Sequence, residues 1–81
     1  MGTFEKLLEQ MRRNPCNDWK MANLLTIAKR LNIEVRNSGG SHHVFSHSEI
    51  EEDLVVPYRR PIKVIYIKKF LALVDVVREV V

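Results

Sequence analysis

The sequence predicts an α+β fold, in which a three-stranded antiparallel sheet carries helices packed on one face. Two segments with apolar residues at helical spacing come first, three short strand-like segments follow, and a longer helical segment ends the chain. An antiparallel sheet of this kind buries one face and leaves the other in contact with water. At 81 residues the chain holds a single core, so we expect one domain over residues 1–81.

The two N-terminal helices are indicated by apolar residues that recur every three or four positions. The first helix is predicted over residues 4–13, with Thr3 as its cap, and its apolar stripe is Phe4, Leu7, Leu8 and Met11. The second carries an apolar stripe made of Met21, Leu24, Leu25, Ala28 and Leu31. Asn17 or Asp18 is expected to cap the second helix. Trp19 at its entry is expected in the core, with stacking on a nucleic-acid base as the alternative.

The first two strands are predicted by the alternation of apolar and polar residues. The first strand, residues 33–36, turns Arg36 toward water. The second strand covers residues 42–47, and Phe45 points inward as its largest apolar residue. Because side chains alternate along a strand, His42 then lies on the opposite, open face. His42 and Arg36 are therefore expected on one exposed surface.

The remainder of the chain contains one more strand and one more helix. A third strand is predicted at residues 54–56, and Pro57 closes it because proline cannot donate to a ladder. Residues 46–53 are expected to form a polar connection, and residues 58–64 a basic loop. The period of residues 65–80 predicts a helix, although its many valines favour strands.

The charged residues are unevenly distributed along the chain. Thirteen Lys and Arg face ten Asp and Glu, for a net charge of +3. The basic residues cluster at Arg59, Arg60, Lys63, Lys68 and Lys69, and the acidic ones at Glu49, Glu51, Glu52 and Asp53. A cationic face of this kind is typical of a surface that binds RNA or DNA, and a merely solvated face is the alternative.

The composition excludes several classes of protein. Cys16 is the only cysteine and has no partner for an internal disulfide, which excludes a disulfide-stapled secreted scaffold. No apolar run approaches the ~20 residues that span a bilayer, and no signal peptide is recognisable. We therefore expect a cytoplasmic protein that does not associate with a membrane.

The most informative motif is the run Gly39-Gly40-Ser41-His42. Glycine lets a backbone come close to a phosphate, and the N–H groups around Gly39, Gly40 and Ser41 are suited to a non-bridging oxygen. Histidine exchanges a proton near neutral pH, so His42 is the candidate acid or base of a ribonuclease that needs no metal. Cations that bind the phosphates are expected from Arg36, Arg59, Arg60 and Lys63. A hairpin that simply exposes histidines is the alternative.

The other two histidines are assigned structural roles. His43 and His47 share the face of Phe45 and are expected to point toward the helices. His42 and His43 point to opposite faces of one strand, and no carboxylate spacing accompanies them, so no metal site is expected. The second acid–base group stays open, with Tyr58 as one candidate.

Several of these segments together resemble the HicA toxins of type II toxin–antitoxin modules. The likeness is carried by Gly40-Ser41-His42-His43-Val44-Phe45-Ser46-His47, then by Val55-Val56-Pro57 and a basic segment that leads into the last helix. The segments 57–63 and 66–70 are similar to a subgroup that has an extra N-terminal helix. The likeness covers roughly residues 20–75, most of the chain.

This resemblance implies both a fold and a function. HicA proteins have a double-stranded-RNA-binding-domain-like fold of helix–strand–strand–strand–helix. Residues 1–16 would then form an extra N-terminal helix and turn, and residues 17–81 the core. The family consists of mRNA interferases that are neutralised by a HicB antitoxin, which covers the active histidine, and no cofactor is expected. The family's catalytic histidine directly follows Gly-Ser and corresponds to His42.

Two positions differ from the family pattern. The acidic stretch 49–53 follows His47 where many members have His-Pro and a glycine-containing turn. Tyr58 follows Pro57 in a segment where other members often carry a histidine. An acidic hairpin repels phosphate. Two alternatives therefore stay open: a non-catalytic RNA-binding module, and a degenerate toxin that only binds its antitoxin.

Overall fold

The computed structural model of the chain describes residues 2–37, 40–59 and 61–80. Its elements are, in order, α1 Thr3–Arg13, α2 Met21–Arg30, β1 Glu34–Asn37, β2 His42–His47, β3 Ile50–Pro57 and α3 Val64–Val80. The predicted α+β class and the order of the elements are confirmed. None of the helices in these ranges has the length and apolarity needed to cross a membrane.

The three strands form an antiparallel sheet in the order β1-β2-β3. Val44 is the central residue of the open face, since it pairs with Arg36 on one side and with Val55 on the other. Phe45, the next residue, is fully buried, whereas Arg36 and Val55 are exposed. This alternation confirms that Phe45 points inward and that the opposite face of the sheet meets water.

The helices cover the inner face of the sheet. α2 contacts β1, α3 contacts β3, and α1 contacts both other helices. At the centre, the ring of Phe45 meets the edge of Phe70 on α3, with ring centroids 5.5 Å apart and planes inclined by 68°. Such edge-to-face pairs add about 0.5–1.5 kcal/mol beyond the burial of their surface. The sheet is thereby fixed to α3, the helix that also forms part of the site described below.

Both predicted helix caps are wrong. Thr3 lies inside α1, which Gly2 precedes, and α2 begins at Met21 after Lys20 rather than after Asn17 or Asp18. Trp19 is the reason for the late start. Its ring is buried as predicted, its Nε1–H donates to the carbonyl of Asn14 over 2.7 Å, and its own carbonyl accepts from a loop amide. A residue held in this way by the loop is unable to join the helix, so α2 starts after it.

The predicted polar connection over residues 46–53 is also wrong. β2 continues to His47, a tight turn follows at Ser48 and Glu49, and β3 begins at Ile50. Ile50 packs against the core and pairs with His47, which brings the acidic residues that follow it into the strand. Side-chain packing and pairing override the poor strand propensity of acidic residues here.

Candidate functional site

His42 is the first residue of β2 and lies on the open face. The burial of Phe45 three positions later places His42 on the other side of the sheet, as predicted. On β3 its partner is Pro57, the last residue of that strand. The imidazole is therefore exposed at the end of the sheet where two strands terminate.

An open cavity of about 320 Å³ lies at this end of the sheet. Its lining consists of Ser41, His42, Pro57, Arg59, Lys63 and Tyr66. Four of these residues were predicted from the sequence as site residues, namely Ser41, His42, Arg59 and Lys63. The fold thus brings together an imidazole from β2 and two cations from the loop between β3 and α3.

Backbone contacts hold the loop that carries Arg59 beside β2. The N–H of Tyr58 donates to the carbonyl of Ser41, which extends the pairing of β2 and β3 by one step beyond His42 and Pro57. Further along the loop, Ile62 is buried, and its N–H donates to the carbonyl of Trp19 over 3.0 Å. Both ends of the short segment that carries Arg59 are therefore anchored to the fold.

Lys63 precedes α3 directly and is positioned by that helix. Its carbonyl accepts from the amides of Tyr66 and Ile67, at 3.0 and 3.2 Å. The N-terminus of a helix carries partial positive charge because its first amides have no partner within the helix. The cavity therefore adjoins three sources of positive potential: Arg59, Lys63 and the start of α3.

The structure describes only the second part of the glycine-containing turn before β2, from Gly40 onward. Gly40 has a φ of +97°, a backbone conformation that side-chain-bearing residues rarely adopt. The turn therefore uses the conformational freedom of glycine at Gly40, next to the exposed Ser41 that lines the cavity. Two predicted site residues, Gly39 and Arg60, lie outside the described residues.

Arg36 is placed on the open face, as predicted, but does not line the cavity. Its guanidinium makes an ion pair with Asp53 of β3 over 3.4 Å, and 65% of its side chain is exposed. Asp53 precedes Val55 in β3, whereas Pro57, the partner of His42, follows it. Arg36 therefore reaches across the sheet in the direction away from His42.

The two remaining histidines have different surroundings. Both are partly buried, unlike His42. The His43 ring lies 5.6 Å from the ring of Tyr58, and its buried Nδ1 has no hydrogen-bond partner within the described residues. The Nδ1 of His47 accepts from the N–H of Glu49 over 3.1 Å, which stabilises the β2–β3 turn. The hydrogen bond of His47 is a structural contact, and the structural role of His43 stays a prediction.

Tyr66 is the site residue that the sequence analysis missed. It lies in the first turn of α3, is half-buried against the core, and lines the cavity with its neighbours. The signal was its spacing from Lys63, since residues three apart lie on one helical face. Among the residues that the structure describes, no group of three or more His, Cys, Asp or Glu is arranged to hold a metal ion.

Because comparison with known proteins gives no match, the assignment of a function rests on the cavity. No model of a known family, no curated protein and no solved structure matches the chain. The cavity offers one imidazole, two cations and a phenol around a single opening. Such groups suit an anion whose reaction needs proton transfer.

Proposed function

We propose that the chain is a HicA-like toxin, an endoribonuclease that cleaves mRNA without a metal and is neutralised by a HicB-type antitoxin. The observation that carries the proposal is the convergence of His42, Arg59 and Lys63 on one cavity. These residues come from β2 and from the loop before α3, so their meeting is a property of the fold. The resemblance of the run 40–47 to HicA sequences supports the same function.

The reaction needs little from the protein because RNA carries its own nucleophile. His42 accepts the proton of the 2′-hydroxyl while the 2′-oxygen attacks the neighbouring phosphorus. The bond from phosphorus to the 5′-oxygen breaks, and the leaving oxygen takes up a proton from an acid or from water. The products are a 2′,3′-cyclic phosphate and a 5′-hydroxyl end. A positioned acid–base group contributes ~10²–10⁴-fold to such a step.

The cations of the cavity stabilise the charge that develops on the phosphate. Arg59 offers a planar fork of donors that suits two phosphate oxygens, whereas Lys63 acts as a compact charge at the start of α3. Tyr66 lines the same opening, and a phenol hydroxyl is able to donate to a non-bridging oxygen. Positive groups aimed at developing charge lower the barrier most when they are held in place, as the anchored loop holds these.

Single-stranded RNA fits the surroundings of the cavity better than a duplex. Tyr58, which directly precedes Arg59, is 61% exposed; its ring lies outside the cavity lining, 5.6 Å from the ring of His43, and offers an aromatic surface to a nucleotide outside the cavity. Unpaired bases stack on such rings, and the bases of a duplex are not accessible to them. We therefore take mRNA in the cytoplasm as the substrate.

We propose further that the fold is that of a double-stranded-RNA-binding domain. From α2 to α3 the elements run helix–strand–strand–strand–helix, the order of a double-stranded-RNA-binding domain. The segment 1–16, which contains α1, is then an extra N-terminal element, and residues 17–81 form the core. A HicB-type antitoxin that covers His42 would prevent RNA from reaching the cavity, which is how a partner without catalytic activity inhibits the enzyme.

The test is cleavage of a long single-stranded RNA in the presence of EDTA, with two histidine variants. Wild-type protein is expected to cleave, and His42→Ala to be at least about 100-fold slower. His47→Ala is the matched control, because it removes a histidine from the far end of the same strand and outside the cavity. Cleavage by this control is expected near the wild-type rate. End analysis of the products should show the cyclic phosphate.

The other outcomes separate the alternatives. Cleavage by a folded His42→Ala protein at the wild-type rate would refute the assignment of His42. RNA binding without cleavage by the wild type would indicate a non-catalytic RNA-binding module. If neither is observed, capture of a HicB-type protein by the wild type would identify a degenerate toxin that only binds its antitoxin.

A further inference from the structure

The outward side of α3 carries apolar residues where a surface helix normally carries polar ones. Ile65, Val76 and Val80 are 53%, 43% and 49% exposed. At 3.6 residues per turn these three positions fall within about 60° of one another around the helix axis. The opposite side of α3 is buried in the core. Lys69 falls within the same stripe, and most of the rest of the outward side is charged. Exposed apolar residues that cluster on one side of a helix are a candidate contact surface.

A groove of about 410 Å³ lies between α3 and β3, and Val76 is the apolar residue of this stripe that lines it. Its apolar lining comes from Ile50 and Leu54 on the strand and from Leu73 and Val76 on the helix. Its charged lining residues are Glu52, Asp53 and Lys69. The groove is larger than the cavity at His42 and shares no lining residue with it.

The strand beside this groove has an available edge. β3 is eight residues long and, in the part of the chain that the structure describes, pairs only with β2. An edge strand presents a row of unpaired N–H and C=O groups that another extended chain is able to join. Strand addition of this kind gives affinity through the backbone and specificity through alternate side chains.

The charge beside the groove is acidic. Glu49, Glu51 and Glu52 are exposed, and none of the ion pairs among the described residues involves them. The chain as a whole has a net charge of +3, so this end of β3 has the opposite sign from the average of the molecule. A partner with Lys or Arg complements these carboxylates, and an acidic partner is repelled.

We propose that the groove binds an extended segment of a partner protein, in which apolar residues alternate with Lys or Arg and which adds a fourth strand to β3. Its apolar side chains lie on Leu54, Leu73 and Val76, and its basic side chains meet the free carboxylates. On β3 the lining residues nearest to each other are Leu54 of the groove and Pro57 of the cavity, about 10 Å apart at ~3.3 Å per residue. The groove extends from Leu54 toward Ile50, away from His42. The two sites share no lining residue, so a segment in the groove leaves the residues around His42 uncovered.

The test is a titration of the ¹⁵N-labelled protein with three synthetic peptides at physiological salt. The first peptide alternates valine with lysine over eight residues, the second has glutamate in place of lysine, and the third repeats the first with alternate amides N-methylated. We expect the first to shift the amide signals of residues 50–54 and 72–76. The glutamate and N-methylated peptides are expected to bind at least about tenfold more weakly.

Two variants of the protein locate the contact. Val76→Lys removes an apolar contact from the groove and adds a charge that repels the peptide lysines. It should therefore lower the affinity for the lysine peptide at least about tenfold. Leu25→Lys is the matched control, since Leu25 is an apolar residue of similar exposure on α2 and outside the groove. Both variants are expected to fold, because both side chains are solvent-exposed and lysine is a good helix former.

Four results would overturn the proposal. These are equal affinity for the lysine and glutamate peptides, shifts confined to the surroundings of His42, no shift at about 1 mM peptide, and unchanged binding by Val76→Lys. Self-association that depends on protein concentration and is lost in Val76→Lys would instead assign the groove to a second copy of the chain. The His42→Ala protein should bind the peptide like the wild type, so this result does not depend on ribonuclease activity.

Discussion

Two adjacent valines on β3 give a direct test of which face of the sheet is buried. Val56 is fully buried and pairs with His43, whereas Val55 is 46% exposed and pairs with Val44. Val55→Ala and Val56→Ala are the same chemical change, made one residue apart in the same strand. Because a slip of one residue exchanges the two faces, the pair of variants also tests the placement of His42 on the open face.

The expected loss of stability for Val56→Ala follows from its burial. The substitution removes two carbon atoms from the core, which costs about 1.6 kcal/mol at about 0.8 kcal/mol per group. A residual cavity of about 40 Å³ adds about 1 kcal/mol at about 24 cal/mol per Å³. The total of about 2.5 kcal/mol is a large part of the roughly 3–5 kcal/mol available to a domain of this size. Val55→Ala is expected to cost at most about 1 kcal/mol, the span of strand propensities.

Urea unfolding of the two variants and the wild type measures these values. Val56→Ala should shift the midpoint to lower urea with an unchanged slope, and its Tm should fall by about 10–20 °C. Val55→Ala should stay close to the wild type. Equal losses in the two variants, or a larger loss for Val55→Ala, would refute the strand orientation and with it the argument that exposes His42.

Three further substitutions test other parts of the structure. The Arg12 guanidinium donates to the Asp75 carboxylate and holds the pKa of that carboxyl below its ordinary value, so Asp75→Asn should cost about 0.2–1 kcal/mol at pH 7. Because the pKa of Asp75 is depressed in the folded protein, the stability difference between wild type and variant should be present above about pH 4 and vanish as the pH falls through that folded pKa. Equal losses of stability at pH 7 and about pH 2 would contradict this. Gly40→Ala should destabilise the protein by about 1 kcal/mol through its positive φ alone, because an added Cβ meets open space, and a raised Tm would contradict this. Tyr66→Phe should slow single-turnover cleavage about tenfold without lowering the Tm, and an unchanged rate would exclude its hydroxyl from the reaction.

The sequence predicts most of the fold because the apolar spacing is clear in each element. The alternation around Phe45 was sufficient to orient β2, and the helical period of the last segment outweighed its valines. The errors occurred where a distant contact decides the outcome. Trp19 delays α2 through a hydrogen bond with the loop before α3, and Ile50 extends β3 through its pairing with His47. Local patterns contain no information on such contacts.

The candidate site was predictable to a different degree for each residue. The glycine–serine–histidine run identified His42 directly, and the basic cluster included Arg59 and Lys63. Tyr66 was missed because a tyrosine in an apolar helix is indistinguishable from a core residue until its neighbours are known. Arg36 was correctly placed on the open face, but its ion pair with Asp53 depends on the register of two strands that the sequence does not specify.

The acidic residues of β3 need not weaken phosphate binding at His42, because the two lie at opposite ends of the strand. Among the described residues, Glu52 is the carboxylate of β3 nearest to Pro57 that lies outside an ion pair. It lies five residues from Pro57, about 17 Å at ~3.3 Å per residue, and the Debye length at physiological salt is about 8 Å. The potential of this carboxylate therefore decays over about two screening lengths before it reaches the cavity. Asp53, the acidic residue closest to the centre of the open face, is already paired with Arg36. The ends of β3 thus act as electrostatically independent surfaces, so local charge is a better guide to the partners of each end than the net charge of the chain.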